Sequence, residues 1–156
     1  MLSNLDRYKE DLESLIQRGN ELFMALQHEC FPEEFEQNLR KELGRKSAEV
    51  LKALPSFREA YQPWYSEAKA LIRQFLPDRL QDFVRHYEKP KSRKVITCEN
   101  YRIDDCLQGV MVTRVFETQR VAGPDAALPH LRQQVAIVKS VRARFKSSLF
   151  DIRQLV

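Results

Sequence analysis

From residue 128 to residue 156 apolar side chains return in a seven-residue rhythm: Leu128, Leu131, Val135 and Val138, then Phe145, Leu149, Ile152 and Val156. Only Arg142 breaks the row. A repeat of seven puts these residues on one stripe of a helix, and a stripe of that length must be covered by other helices. The N-terminal stretch 3–29 carries a matching row of Leu5, Tyr8, Leu12, Leu15, Gly19, Leu22 and Leu26. Ile16 and Phe23 widen it beyond a two-stranded seam, which favours a bundle over an isolated coiled coil. Gly19 lies on the stripe, where the absence of a side chain allows a close crossing.

The two ends are also electrically complementary. Residues 1–30 hold three basic side chains against six acidic ones, whereas residues 126–156 hold six basic ones against Asp151 alone. The expected fold is therefore a mostly all-α helical bundle, a single domain over 1–156, with long N- and C-terminal heptad helices packed antiparallel.

Between the two ends, Pro32 followed by Glu33 and Glu34 marks a second helix start, and Gly44 is placed to bend or split it. Leu54-Pro55-Ser56 is a break. The densest apolar face follows: Phe57, Ala60, Tyr61, Trp64, Tyr65, Ala68, Leu71, Ile72 and Phe75. Pro63 inside that run predicts a kink or a restart. Leu76-Pro77-Asp78 is a corner before a short helix with Leu80, Phe83, Val84 and Tyr87. Residues 88–94 form a basic loop, 95–97 a short strand, and 100–107 a capped short helix ending near Gly109. Residues 110–116 read as strand or continued helix, giving at most a small β-hairpin around 94–116. Residues 117–125 read as a loop.

Composition narrows the classes further. Hydrophobic residues make up 43% and charged ones 31%, which is neither disordered nor membrane-like. No apolar run approaches the ~20 residues of a membrane span, and early charges exclude a secretory signal. Three cysteines without Cys-x-x-Cys spacing fit a reducing cytoplasm. The heptad pattern still runs at Val156. That predicts the N-terminal fragment of a longer protein, the alternative being a terminal helix that frays.

Few residues point to chemistry. His28-x-Cys30 is too sparse for a zinc site. Pro77-Asp78 with Glu88-Lys89-Pro90-Lys91 lacks the spacing of a metal-dependent nuclease, because Pro90 occupies the lysine position. Arg79 and His86 share a predicted helix and are weak candidates for a ribonuclease pair, the histidine exchanging a proton and the arginine stabilising phosphate charge. No metal, cofactor or small-molecule substrate is expected, and the chain reads as a non-enzyme.

The basic surface is more extensive. Arg85, Lys89, Lys91, Arg93 and Lys94 cluster around one loop, and Arg132, Lys139, Lys146 and Arg153 recur along one edge of the last helix. They could track a phosphate backbone. They could equally flank the seam and face the acidic first helix, which explains the charge asymmetry without a further partner.

Several runs taken together carry a resemblance: 61–68 (Tyr-Gln-Pro-Trp-Tyr-Ser-Glu-Ala), 76–80 (Leu-Pro-Asp-Arg-Leu), 100–105 (Asn-Tyr-Arg-Ile-Asp-Asp), 123–127 (Gly-Pro-Asp-Ala-Ala) and 147–156 (Ser-Ser-Leu-Phe-Asp-Ile-Arg-Gln-Leu-Val). They resemble the N-terminal half of a group of uncharacterised bacterial proteins about twice this length. Their second half looks HEPN-like, with its own Arg-Asn … His motif. Cys106 departs from that pattern, standing where an aromatic residue is expected. The resemblance implies that catalytic residues lie outside this chain.

The leading expectation is thus a helical interaction or oligomerisation module, accessory to a HEPN-like half and self-associating, as a dimer, through Leu131, Val135, Val138, Phe145, Leu149 and Ile152. The alternative is a nucleic-acid-binding helical domain that uses 85–94 and the basic edge of the last helix.

Overall fold

The computed structural model describes residues 3–113 and 120–146 of the chain. Helix α1 (Asn4–Cys30) starts where the Ser3 hydroxyl accepts the Asp6 N–H at 3.1 Å, with Asp6 in the favourable first turn. Its stripe buries Leu12, Leu15, Ile16, Leu22, Ala25 and Leu26. Helix α2 (Pro32–Leu43) opens on Pro32 and ends at Gly44, whose φ of 57° favours glycine. A 3₁₀ turn (Gly44–Lys46) leads into α3 (Ser47–Ala53).

Helix α4 (Phe57–Phe75) runs unbroken through Pro63. Proline denies the Glu59 carbonyl its helical donor, but both residues are exposed, so water can take that place. A 3₁₀ corner (Pro77–Arg79), α5 (Leu80–Arg85), α6 (Ile103–Leu107) and α7 (Leu128–Ser140) complete the helices.

Three helices make the core. Along α1, Glu13, Gly19 and Phe23 meet Arg142, Val135 and Arg132 in turn, so the C-terminal helix runs antiparallel to the first. Tyr8, Leu15 and Glu29 meet Phe75, Trp64 and Arg58, so α4 is antiparallel to α1 as well. Helices α4 and α7 are therefore parallel, joined by Tyr61 to Gln134 and, in the turn that follows α7, by Phe75 to Phe145. The fold is the expected mostly all-α bundle.

The close crossing falls at Gly19. A methyl group there would lie 3.0 Å from Trp64 Cζ2 and 3.1 Å from Val135 Cγ2. Trp64 itself is held by its indole N–H, which donates to the Leu15 carbonyl at 2.8 Å. Gln134, the one fully buried side-chain amide among the described residues, accepts the Tyr61 hydroxyl at 2.7 Å and donates to the Phe83 carbonyl at 2.9 Å. Both ends are thus satisfied, as a buried amide requires.

Three expectations are corrected. Residues 95–97 are not a strand. The Asn100 side chain takes the Thr97 N–H (2.7 Å) and donates to the Val95 carbonyl (2.7 Å), while the Thr97 carbonyl accepts the Tyr101 N–H. Those three backbone groups are used within one turn and are lost to a ladder. The β-hairpin instead pairs β1 (Val112–Thr113) with β2 (Arg120–Ala122), so part of the expected 117–125 loop is strand.

The last helix also changes pitch. It tightens to 3₁₀ over Val141–Phe145. The Ser140 hydroxyl bonds the Ile137 carbonyl at 2.6 Å, which is the acceptor the Val141 N–H would use in an α-helix; that N–H turns to Val138 and Lys139. Leu149, Ile152 and Arg153 lie outside the described residues.

Candidate functional site

The seam expected to bind a second copy is occupied within the chain. Leu131 and Val138 are fully buried, Val135 nearly so, and Phe145 packs on Phe75. The basic edge of the last helix divides. Arg132 lies over the Phe23 ring at 5.2 Å, and Lys146 acts electrostatically on Glu13. Lys139 is exposed. Arg142, the residue that interrupts the heptads, makes a two-pronged bond to Glu13 at 2.7 and 2.8 Å, which holds that carboxyl below its ordinary range. The charge asymmetry of the termini is thus met in part within the chain, by Arg142 and Lys146 on Glu13.

The predicted loop is ordered by its own charges. Both Arg93 Nη atoms bond the carboxylate of Asp105, at 2.6 and 2.9 Å, and Nη1 also donates to the Asn100 carbonyl. Asp105 is fully buried and also accepts the Arg102 N–H at 2.8 Å, capping α6. Burial pushes this carboxyl up, but the bonds from Arg93 and Arg102 outweigh it and leave the group below its usual range. Arg93 is therefore structural. Lys89 reaches Asp104 at 3.7 Å, and Arg85 reaches Asp82 at 3.1 Å. Lys91 and Lys94 stand exposed on the loop.

The ribonuclease pair is not assembled as expected. Arg79 is bound to Asp82 at 2.9 Å, while His86 turns to another histidine. His86 Nδ1 lies 2.9 Å from His130 Nδ1, with the rings 5.2 Å apart. Arg102 Nη1 is 3.4 Å from His130 Nε2 and donates to the carbonyls of Glu99 and Tyr101, whereas its Nε is buried without a partner.

Three segments bring these groups together. The end of α5 supplies Arg85 and His86, the chain entering α6 supplies Arg102, and the first turn of α7 supplies His130. The first two are tied by the backbone, where the N–H groups of Ile103 and Asp104 donate to the carbonyls of His86 and Tyr87.

Two facing ring nitrogens at that distance share one proton; one donates and the other accepts. The neutral pair is favoured. Burial, His130, Arg85 and Arg102 push the His86 pKa down to about 4, against a smaller opposing pull from Asp82. Burial and then Arg102 lower His130, offset in part by a hydrogen bond to the Tyr101 backbone. Arg102 is itself lowered by burial, Arg85 and Arg93.

Comparison with protein-family models, curated proteins and solved structures finds no match. No relative lends an activity to these residues.

Sequence reading found His86 and Arg85 but not Arg102 or His130. No helical or strand spacing connects positions 86, 102 and 130. The one available signal was scarcity, since the chain has three histidines and the third, His28, ends α1 bonded to Glu36 at 3.0 Å. Cys30, the other member of the His28-x-Cys30 pair, closes the same helix. Tyr61, Trp64 and Tyr65 are core residues.

Proposed function

We propose that this chain is a helical interaction module whose ligand is a phosphate-bearing polymer, a nucleic acid, held on the basic end of the bundle. The observation behind this reading is the convergence of Arg85, His86, Arg102 and His130 beside the loop that carries Lys89, Lys91 and Lys94. Residues 79–105 hold seven Arg and Lys against five Asp and Glu, a net +2 before any histidine is charged. That surplus favours an anionic partner. No helix among the described residues is long and apolar enough to cross a membrane, so a bilayer-spanning role has no support.

Binding of this type weakens steeply with salt. For single-stranded RNA, log K should fall linearly with log salt, by about 0.7 per phosphate contacted. Fluorescence anisotropy with a short labelled RNA tests this. Lys91→Gln and Lys94→Gln should each reduce the slope by about that amount. An RNA that is not retained even at roughly 50 mM salt would remove the reading.

A second reading, self-association or protein docking, is favoured by helix α2. It buries only Leu39 and leaves Phe31 and Leu43 exposed by 45% and 41% at its two ends. Light scattering at high concentration decides it: a strict monomer disposes of the homodimer.

A further inference from the structure

We propose that His86, His130 and Arg102 form a binding site for a phosphate monoester, such as the terminal phosphate of a nucleic-acid strand, and that occupancy draws a proton onto the histidine pair. This inference rests on the nucleic-acid reading and sharpens it.

The argument starts from what the three residues lack. The imidazoles spend one proton on each other through their Nδ1 atoms, which leaves no bond to His86 Nε2. Arg102 has two bonds to carbonyls of its own turn, a long approach to His130 and a buried Nε with no acceptor. The carboxylates that act on Arg102 and on His86 are already engaged. Asp105 is taken by both arms of Arg93, and Asp82 by Arg79 and Arg85. Asp105 still acts on Arg102 through its charge but makes no side-chain bond to the guanidinium, and Arg85 adds to the field on both His86 and Arg102.

An anion is what this arrangement is short of. A phosphate monoester suits it better than a diester for two reasons. Its dianion matches an arginine plus one imidazolium, and it offers three equivalent acceptor oxygens where a diester offers two. Entry of the anion would replace the Nδ1–Nδ1 hydrogen bond. The group released takes a proton from solvent, and both rings then donate to phosphate oxygens. No bond within the ligand is made or broken.

The groups facing the pair are Arg85 and Asp82 from α5, Arg102 from the turn before α6, and the Tyr101 backbone. Two of these four, Arg85 and Arg102, oppose protonation, while Asp82 and the Tyr101 backbone favour it; a bound anion offsets the two arginines. The proton therefore follows the ligand.

Calorimetry on the whole chain tests this at about pH 6.5, the ordinary imidazole value. The probes are inorganic phosphate, a 5′-phosphorylated oligonucleotide and its 5′-hydroxyl twin. Each is titrated in two buffers of different ionisation enthalpy, so that protons taken up are counted. The phosphorylated strand should bind about ten- to a hundredfold tighter than its twin, the worth of one or two charge-assisted hydrogen bonds, with about one proton taken up. His130→Gln and Arg102→Gln should erase that preference and the proton uptake, while Arg45→Gln, on an exposed turn far from the site, should not. A melting curve for each variant confirms that it folds.

If both strands bind equally well with no proton uptake, the site falls and the nucleic-acid reading stands. If neither strand nor free phosphate binds, both fall. If inorganic phosphate alone binds, with the same dependence on His130, the site stands for a small phosphate ligand and the nucleic-acid reading falls.

Discussion

Replacing Gly19 by alanine sets two effects of similar size against each other. Alanine in a helix interior is worth about 1 kcal/mol over glycine. The new methyl group, however, meets Trp64 Cζ2 at 3.0 Å, Val135 Cγ2 at 3.1 Å and Trp64 Cε2 at 3.3 Å. Relief requires the indole to move by a few tenths of an ångström. The indole is 1% exposed, bonded to the Leu15 carbonyl and packed on Tyr61 and Phe83, so it has no room to give. Overpacking of this kind costs about 1–3 kcal/mol. Gly19→Ala should therefore destabilise by roughly 1 kcal/mol net.

Trp64→Phe supplies the control, because it shortens the obstructing ring. In that background Gly19→Ala should become neutral or stabilising, by up to about 1 kcal/mol. Urea unfolding followed by far-ultraviolet circular dichroism reads all four corners of the cycle without depending on the one tryptophan. A Gly19→Ala protein that is stabilised equally with and without Trp64 would show that the crossing does not need glycine.

Three further outcomes are expected. Acid should weaken the fold in a defined window: His86 is held at about 4 against an ordinary 6.5, so the unfolded chain takes up the proton first as pH falls. The stability present above pH 6.5 is lost progressively down to pH 4, by at most about 3 kcal/mol, and His86→Gln should flatten that part of a pH–stability curve. Arg93→Gln strands the buried Asp105 carboxylate at a cost of about 3–5 kcal/mol, visible as fast hydrogen exchange over residues 88–105. Gln134→Leu leaves the Tyr61 hydroxyl and the Phe83 carbonyl without partners, and should lower the unfolding free energy by about 2–3 kcal/mol in chemical denaturation.

What could be read from the chain alone follows a physical division. The Pro32 start, the split at Gly44, the Leu76-Pro77 corner and the burial of Trp64 are local or periodic signals, and each sits where expected. The antiparallel packing of the first and last helices also followed from pattern and charge, and Arg142 on Glu13 is its electrostatic mark. The strand expected at 95–97 failed because side chains of a neighbouring turn captured its backbone, and β-branched content says nothing about that competition. The last helix changed pitch at Ser140 for the same reason. The histidine pair was beyond reach, since 44 residues separate its members and only the folded bundle brings them together. Arg93 was read as a free cation. Its buried acid, Asp105, binds it and starts α6 at once.

That double duty of Asp105 has a kinetic consequence. One carboxylate fastens the basic loop and starts the short helix that carries Arg102, so neither can loosen without the other. A partner arriving at this end of the molecule meets a surface already set, not an arm that must be ordered on arrival. It is spared the entropy of capture, and its docking should be governed by diffusion and charge.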